Sequence, residues 1–171
     1  MTDSQATALP APGLARRLAA FVYESLLLFA VAFGTALVFS PLVQQRHALS
    51  YRYGLMAAVG LAFTAYFVYF WTRSGQTLAM QTWRLRVVDL QGRALTPRRA
   101  LLRSLLGWLW FLPAVACASW LGIHGSGIFG AIGIGMGVYI VLALLHPERR
   151  FLHEIISGTR VVTHIPVRPQ K

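Results

Sequence analysis

Three residues carry the chemistry that this sequence offers. They are Arg17 and Glu24 in the stretch Leu14 to Phe39, LARRLAAFVYESLLLFAVAFGTALVF, and Glu154 near the other end of the chain. Glu24 interrupts a run that is otherwise apolar after two arginines. An acid at the centre of a membrane helix costs about 2.5–3.5 kcal/mol, and somewhat less toward the interface. Such a residue needs a partner or a task. Arg17 and Glu24 are seven positions apart, so two helical turns put them on one face. They are also separated by roughly 10 Å of rise, at 1.5 Å per residue. A direct Arg17–Glu24 pair would therefore stretch both side chains along the helix, and a partner from another segment is expected for at least one of them. Arg103 is expected to meet Glu24, and Arg86 or Arg160 to meet Glu154. The plain structural reading is that these pairs lock helix ends together. The functional reading is a carboxylate that takes up and releases a proton or cation, since burial and a nearby arginine push its proton affinity in opposite directions.

The elements that must hold these residues follow from composition. Of 171 residues 56% are hydrophobic and only 12% charged, against about 25% charged in a soluble domain. This is the composition of a membrane protein, with room for one compact bundle. The expected fold is all-α: a polytopic four-helix transmembrane bundle, with a short β-strand pair and amphipathic helices on its cytoplasmic side. Residues 1–13 read as a disordered tail, 14–162 as the transmembrane domain and 163–171 as a C-terminal tail. The spans fall at about 14–39, 53–71, 104–123 and 128–145. Ser40-Pro41 should end the first, Thr96-Pro97 should start the segment that leads into the third, and Pro113 should kink it. The first run is longer than the apolar core of a signal peptide and lacks a cleavage site, so it reads as a retained anchor. Trp83 to Val87 alternates apolar and charged residues as a half-buried strand does, and Asp89 to Gly92 reads as a turn. Thr159-Arg160-Val161-Val162 echoes Leu85-Arg86-Val87-Val88, so the two segments are expected to pair. Pro147 to Ile156 has the pattern of a further short amphipathic helix.

The charge balance is strongly basic, with 16 Lys+Arg against 5 Asp+Glu. The cations sit between apolar runs, which points to membrane topology and anionic lipid head groups. No nucleic-acid module is visible. Seven arginines lie between Thr72 and Arg103, two between the first two spans, and none between the last two. The positive-inside rule then places both termini and the long connection in the cytoplasm. The glycines of the fourth span include Gly133 and Gly137, one turn apart. This spacing permits close helix approach, either within the bundle or in a homo-oligomer.

No enzyme motif is present. His153-Glu154 lacks the second histidine of a zinc-protease helix, and Gly75-Gln76-Thr77 lacks the pattern of a phosphate-binding loop. Cys117 and His124 share a helix face with no acid to orient the histidine. No metal cluster, cofactor or catalytic residue is expected.

The order of these pieces resembles the RDD family of small bacterial membrane proteins, over roughly Leu14 to Val162. That family takes its name from one arginine and two aspartates. The arginine opens the first span and the first acid lies within it, where this chain has Arg17 and Glu24 in RRLAAFVYE. The second acid stands in L-H-D-x-x-x-G-T, which reads here Leu152-His153-Glu154-Ile155-Ile156-Ser157-Gly158-Thr159. Gly75-Gln76-Thr77 and Leu85-Arg86-Val87-Val88-Asp89, with Gly92 following, match the stretch between. Both signature aspartates are glutamates here, and Ala79-Met80 replaces the usual Gly-Lys. The resemblance implies a location in the bacterial inner membrane and a role in transport of small solutes or ions, of the cation/proton exchange type. The alternative is a non-catalytic scaffold or assembly partner for another membrane protein.

Overall fold

The computed structural model describes residues 12–42, 52–146 and 150–164. Both expected tails lie largely outside the described residues, as do Arg46 and His47 between the first two spans. Four helical segments are long and apolar enough to cross a membrane: Leu14–Pro41, Arg52–Arg73, Pro97–Trp120 and Gly127–Leu145. Their most apolar windows are only 6–17% buried inside the protein. Apolar surface left uncovered on that scale is at home against lipid, where the backbone must satisfy itself within each helix.

The first span is α1, Leu14–Leu42, and α2 is Arg52–Arg73. Helix α1 does not stop at Phe39. It carries Pro41 inside its last turn, where a missing amide removes only one bond of the ladder. The short helix α3, Leu78–Thr82, was not expected from the sequence. Thr77 caps it by accepting from the Met80 amide at 3.3 Å. Strand β1 is Leu85–Asp89, so the strand is shorter than the alternation from Trp83 implied. Trp83 closes α3, and Arg84 takes a left-handed turn (φ 53°) before the strand begins.

The third span is broken. Helix α4, Pro97–Gly107, gives way to a 3-10 turn, Trp108–Trp110, and then to α5, Leu112–Trp120. Pro113 is the cause. Its ring displaces the carbonyl four residues earlier, at Leu109, which falls inside the 3-10 turn. The helix begins at Pro97, with Thr96 extended as its cap residue but making no side-chain cap bond. Helix α6 is Gly127–Leu145, and α7, Leu152–Ile156, is the described part of the expected amphipathic helix. Pro147 to Arg149 lie outside the described residues.

Strand β2, Thr159–Thr163, pairs antiparallel with β1. The register opposes Leu85 to Thr163, Val87 to Val161 and Asp89 to Thr159. The Gly75 carbonyl accepts from the Val87 amide at 2.7 Å, so the loop after α2 lies along the edge of this ribbon. Gly75 has φ 72°, and a Cβ there would come 2.9 Å from Arg86 and 3.0 Å from the Val87 carbonyl. Only glycine combines that backbone with that approach. The ribbon, α3 and α7 form a packed layer at one end of the bundle. Its core joins Ala20 of α1, Trp71 of α2, Ala100 of α4 and Leu85, Val87 and Val161 of the strands.

Candidate functional site

The two carboxylates singled out by the sequence are held in different ways. Glu154, 1% exposed, is the centre of an ion cluster. Arg17 Nη2 donates to both of its oxygens at 2.6 Å, and Arg103 Nη2 donates to Oε1 at 3.3 Å. The Phe151 amide adds a bond to Oε2 at 3.2 Å, which also caps α7. Arg103 continues outward: Nη1 donates to Thr159 Oγ1 at 2.7 Å. With that lone pair taken, Thr159 gives its own proton to Ser157 Oγ at 2.8 Å, and Ser157 donates to the His153 carbonyl at 2.5 Å. The cluster thus ties the start of α1, the middle of α4, α7 and the start of β2 together.

Glu24, 7% exposed, meets no cation: none of the ion pairs among the described residues includes it. Tyr66 of α2 donates its hydroxyl to Oε1 at 2.6 Å, and the Thr77 hydroxyl donates to Oε2. The α3 cap residue therefore has two duties. It accepts from its own helix and donates to the acid of α1.

The expected pairings resolve accordingly. Arg103 reaches Glu154, not Glu24. Arg86 and Arg160 do not reach Glu154, and the ribbon register explains why. Side chains opposite one another share a face, so Arg86 with Val162 and Arg160 with Val88 lie on one side of the ribbon. Thr159, which touches Arg103, lies on the other side. Arg86 packs by Gly75, and Arg160 reaches toward Gly92. Gln76 Nε2 donates to the Leu85 carbonyl at 2.6 Å, so the Gly75-Gln76-Thr77 loop serves the ribbon and Glu24 together. Gly158 takes φ 61° at the end of α7, which lets the chain turn into β2. Asp89 accepts from the Gln91 and Arg93 amides at 2.9 and 2.8 Å, with Arg93 and Arg99 guanidinium groups alongside. Burial works against its charge, but the backbone and side chain of Arg93 prevail, and its carboxyl is held below the usual carboxylate range.

Four residues of this layer were not read from the sequence as site residues: Tyr66, Tyr139, His153 and Ser157. Tyr139 is 6% exposed and accepts from the His153 amide at 3.1 Å. Its ring lies parallel to those of Phe151 and His153, within 5° of each. It is the only hydrogen-bonding side chain in the otherwise apolar α6. A lone hydroxyl there needs a partner, and that signal was available. His153 is held well below the ordinary histidine range, first by burial and then by the charges of Arg103 and Arg17. It is neutral at physiological pH.

Arg17, Glu24, Arg103 and His153 also line one end of a cavity of about 550 Å³, whose remaining walls are mostly apolar and aromatic. Among the described residues no group of three or more His, Cys, Asp or Glu is placed to hold a metal ion. Cys117 is exposed and no disulfide forms.

The arginine of the first span, the acid inside it and the acid after the last span thus meet in one layer. The RDD family model matches residues 11–158. The chain belongs to the RDD family. It is a multi-pass membrane protein whose two signature acids are glutamates. No curated protein and no solved structure matches it.

Proposed function

We propose that this RDD-family chain is a small non-enzymatic transport protein of the cation/proton exchange type, with Glu24 as its proton-carrying carboxylate. The observation that carries the reading is the contrast between the two acids. Glu154 is neutralised by two guanidinium groups and is committed to holding the layer together. Glu24 lies inside a span, is bonded only by hydroxyls, and borders a cavity. A carboxylate in that setting balances its charge with a proton or a bound cation. The same reading puts the chain in the bacterial inner membrane, with both termini and the arginine-rich layer in the cytoplasm against anionic lipid head groups. Its partners are lipid and a second copy of the chain, with no nucleic acid.

The test uses purified protein in sealed liposomes with an internal pH-sensitive dye, under imposed Na+, K+ or Li+ gradients. Wild type is expected to move protons in response to at least one cation. Glu24→Gln is expected to lose that movement while remaining folded and inserted. No movement by well-inserted wild type would overturn the exchange reading.

A second reading has its own observation. Beyond Glu24 the hydroxyls of the spans close on their own helices: Thr35 on Val31, Thr64 on Gly60 and Ser119 on Val115, at 2.8–2.9 Å. They offer no chain of polar groups across the membrane. This favours a scaffold or assembly partner of another membrane protein, in which Glu24→Gln alters stability or partner recovery with no flux to lose.

A further inference from the structure

The cavity has polar groups at one end that the protein itself leaves unpaired. The Tyr139 oxygen accepts from the His153 amide and lies 2.9 Å from His153 Nδ1. Tyr139 has one proton to give, and Nδ1 is the acceptor within reach. The neutral imidazole therefore carries its proton on Nε2, a tautomer assigned from the bonds around it. No hydrogen bond among the described residues uses that Nε2–H. The side chain is 8% exposed and borders the cavity. Ser104 of α4 borders the same cavity, is 7% exposed, and makes no side-chain hydrogen bond among the described residues. The contrast with Ser25, Thr35, Thr64, Thr72 and Ser119 is plain, since each of those bonds its own helix four residues back. Both donors open onto the cavity and find no partner among the described residues, so an acceptor brought from outside can reach them.

The rest of the cavity says what carries that acceptor. Its walls include Phe29, Phe63, Phe67 and Met136 within the membrane spans. Its volume, about 550 Å³, lies inside the roughly 300–1,000 Å³ of small-ligand sites. At the polar end Arg17 and Arg103 both pair with Glu154, so two guanidinium groups border the place a head group would take.

We infer that this cavity binds one acyl chain of an amphiphile, with a carboxylate or phosphate head group accepting from His153 Nε2–H and Ser104 Oγ–H. The inference does not depend on ion exchange, because a scaffold with the same cavity would bind the same molecule. The source is a free fatty acid or one chain of an anionic phospholipid, and the shared chemistry is an oxyanion on an apolar tail.

Trp71, Trp108 and Trp110 border the cavity and report on it. Full-length protein in detergent is titrated with 9,10-dibromostearate, whose bromines quench tryptophan. Saturable quenching competed by plain stearate is expected. Weaker binding of the methyl ester is expected too, together with only linear quenching by a dibrominated hydrocarbon. Ser104→Ala, a change that suits a helix, is expected to weaken binding by roughly 10- to 100-fold, the value of one bond to a charged group. Ala32→Leu, which fills the cavity wall, is expected to abolish saturation without lowering the melting temperature. His153→Gln keeps an N–H donor and is expected to bind better than His153→Phe. Brominated phosphatidylglycerol and phosphatidylcholine form the second arm. Preference for phosphatidylglycerol over phosphatidylcholine assigns the site to phospholipid, and saturation by stearate in their excess assigns it to free acid. Either result supports the inference. Linear quenching by every probe, equal binding of acid and ester, or saturation untouched by both Ser104→Ala and Ala32→Leu overturns it.

Discussion

Two glutamates with the same side chain are set to different work by what surrounds them. Glu154 is enclosed by Arg17, Arg103 and the Phe151 amide, so removing its charge takes the shared carboxylate from two guanidinium groups in a buried layer. Breaking one partner of such a cluster costs about 3–5 kcal/mol. Glu154→Gln is expected to lower stability by that order, read as unfolding in mixed detergent micelles. Glu24→Gln is expected to cost about 1 kcal/mol or less. The amide keeps one acceptor for Tyr66, and the Thr77 hydroxyl can turn to accept from its NH2. Equal losses in the two variants would remove the distinction drawn here. The sequence was enough to single out Arg17, Glu24 and Glu154, because charges in apolar runs demand an explanation. It was not enough to pair them. Arg17 and Glu154 are 137 residues apart, and only the tertiary packing that sets α7 beside both α1 and α4 brings them together. Tyr66 is one of several aromatics in the second half of α2, and its hydroxyl finds Glu24 only because α1 lies against α2.

Among the elements, the spans were legible because twenty apolar residues leave the backbone no other way to satisfy itself. The ribbon was legible because two segments repeat one apolar–charged pattern. Helix α3 was not, since five residues are too few to show a helical period and its cap depends on Thr77. The kink expected at Pro113 lies earlier in the structure, as the 3-10 turn Trp108–Trp110, because a proline disturbs the carbonyl four residues before it. Helix α6 shows the limit of reading small residues by spacing. Gly133 and Gly137 meet nothing within 4 Å, whereas a Cβ on Gly135 would lie 2.5 Å from that of Ala114. Gly135 is the glycine that lets α6 approach α5. Gly135→Ala is therefore expected to lower the melting temperature in detergent, by an overpacking cost of about 1–3 kcal/mol. Gly133→Leu is expected to leave the melting of the single chain unchanged and to reduce the associated mass measured by light scattering. The open Gly133–Gly137 face is the motive for a homo-oligomer, and an unchanged mass in Gly133→Leu would remove it.

For the whole molecule, the proposed orientation rests on the distribution of charge. Arg17, Arg73, Arg84, Arg86, Arg93, Arg98, Arg99, Arg103 and Arg160 all belong to the end that carries the ribbon, α3 and α7. The turn between α5 and α6 carries no arginine or lysine. Against this stand Arg46 and Arg52 between the first two spans, too few to offset seven in the long connection under a rule that counts cations near the membrane. The orientation proposed above rests on this imbalance, and it would decide which compartment has access to the layer around Glu24. With Cys117→Ser as background, single cysteines are placed at Gln91, in the turn after β1, and at Ser126, in the turn before α6. Both positions are exposed. A maleimide that cannot cross membranes is expected to label Ser126→Cys in intact spheroplasts. It is expected to label Gln91→Cys only after the membrane is opened. The reverse pattern would place the arginine layer outside, against the membrane potential, and would remove the anionic cytoplasmic leaflet as the partner of its cations. A cavity whose polar end is at the arginine layer would then draw its ligand from the outer leaflet, so the labelling result fixes which leaflet supplies the ligand of the proposed site.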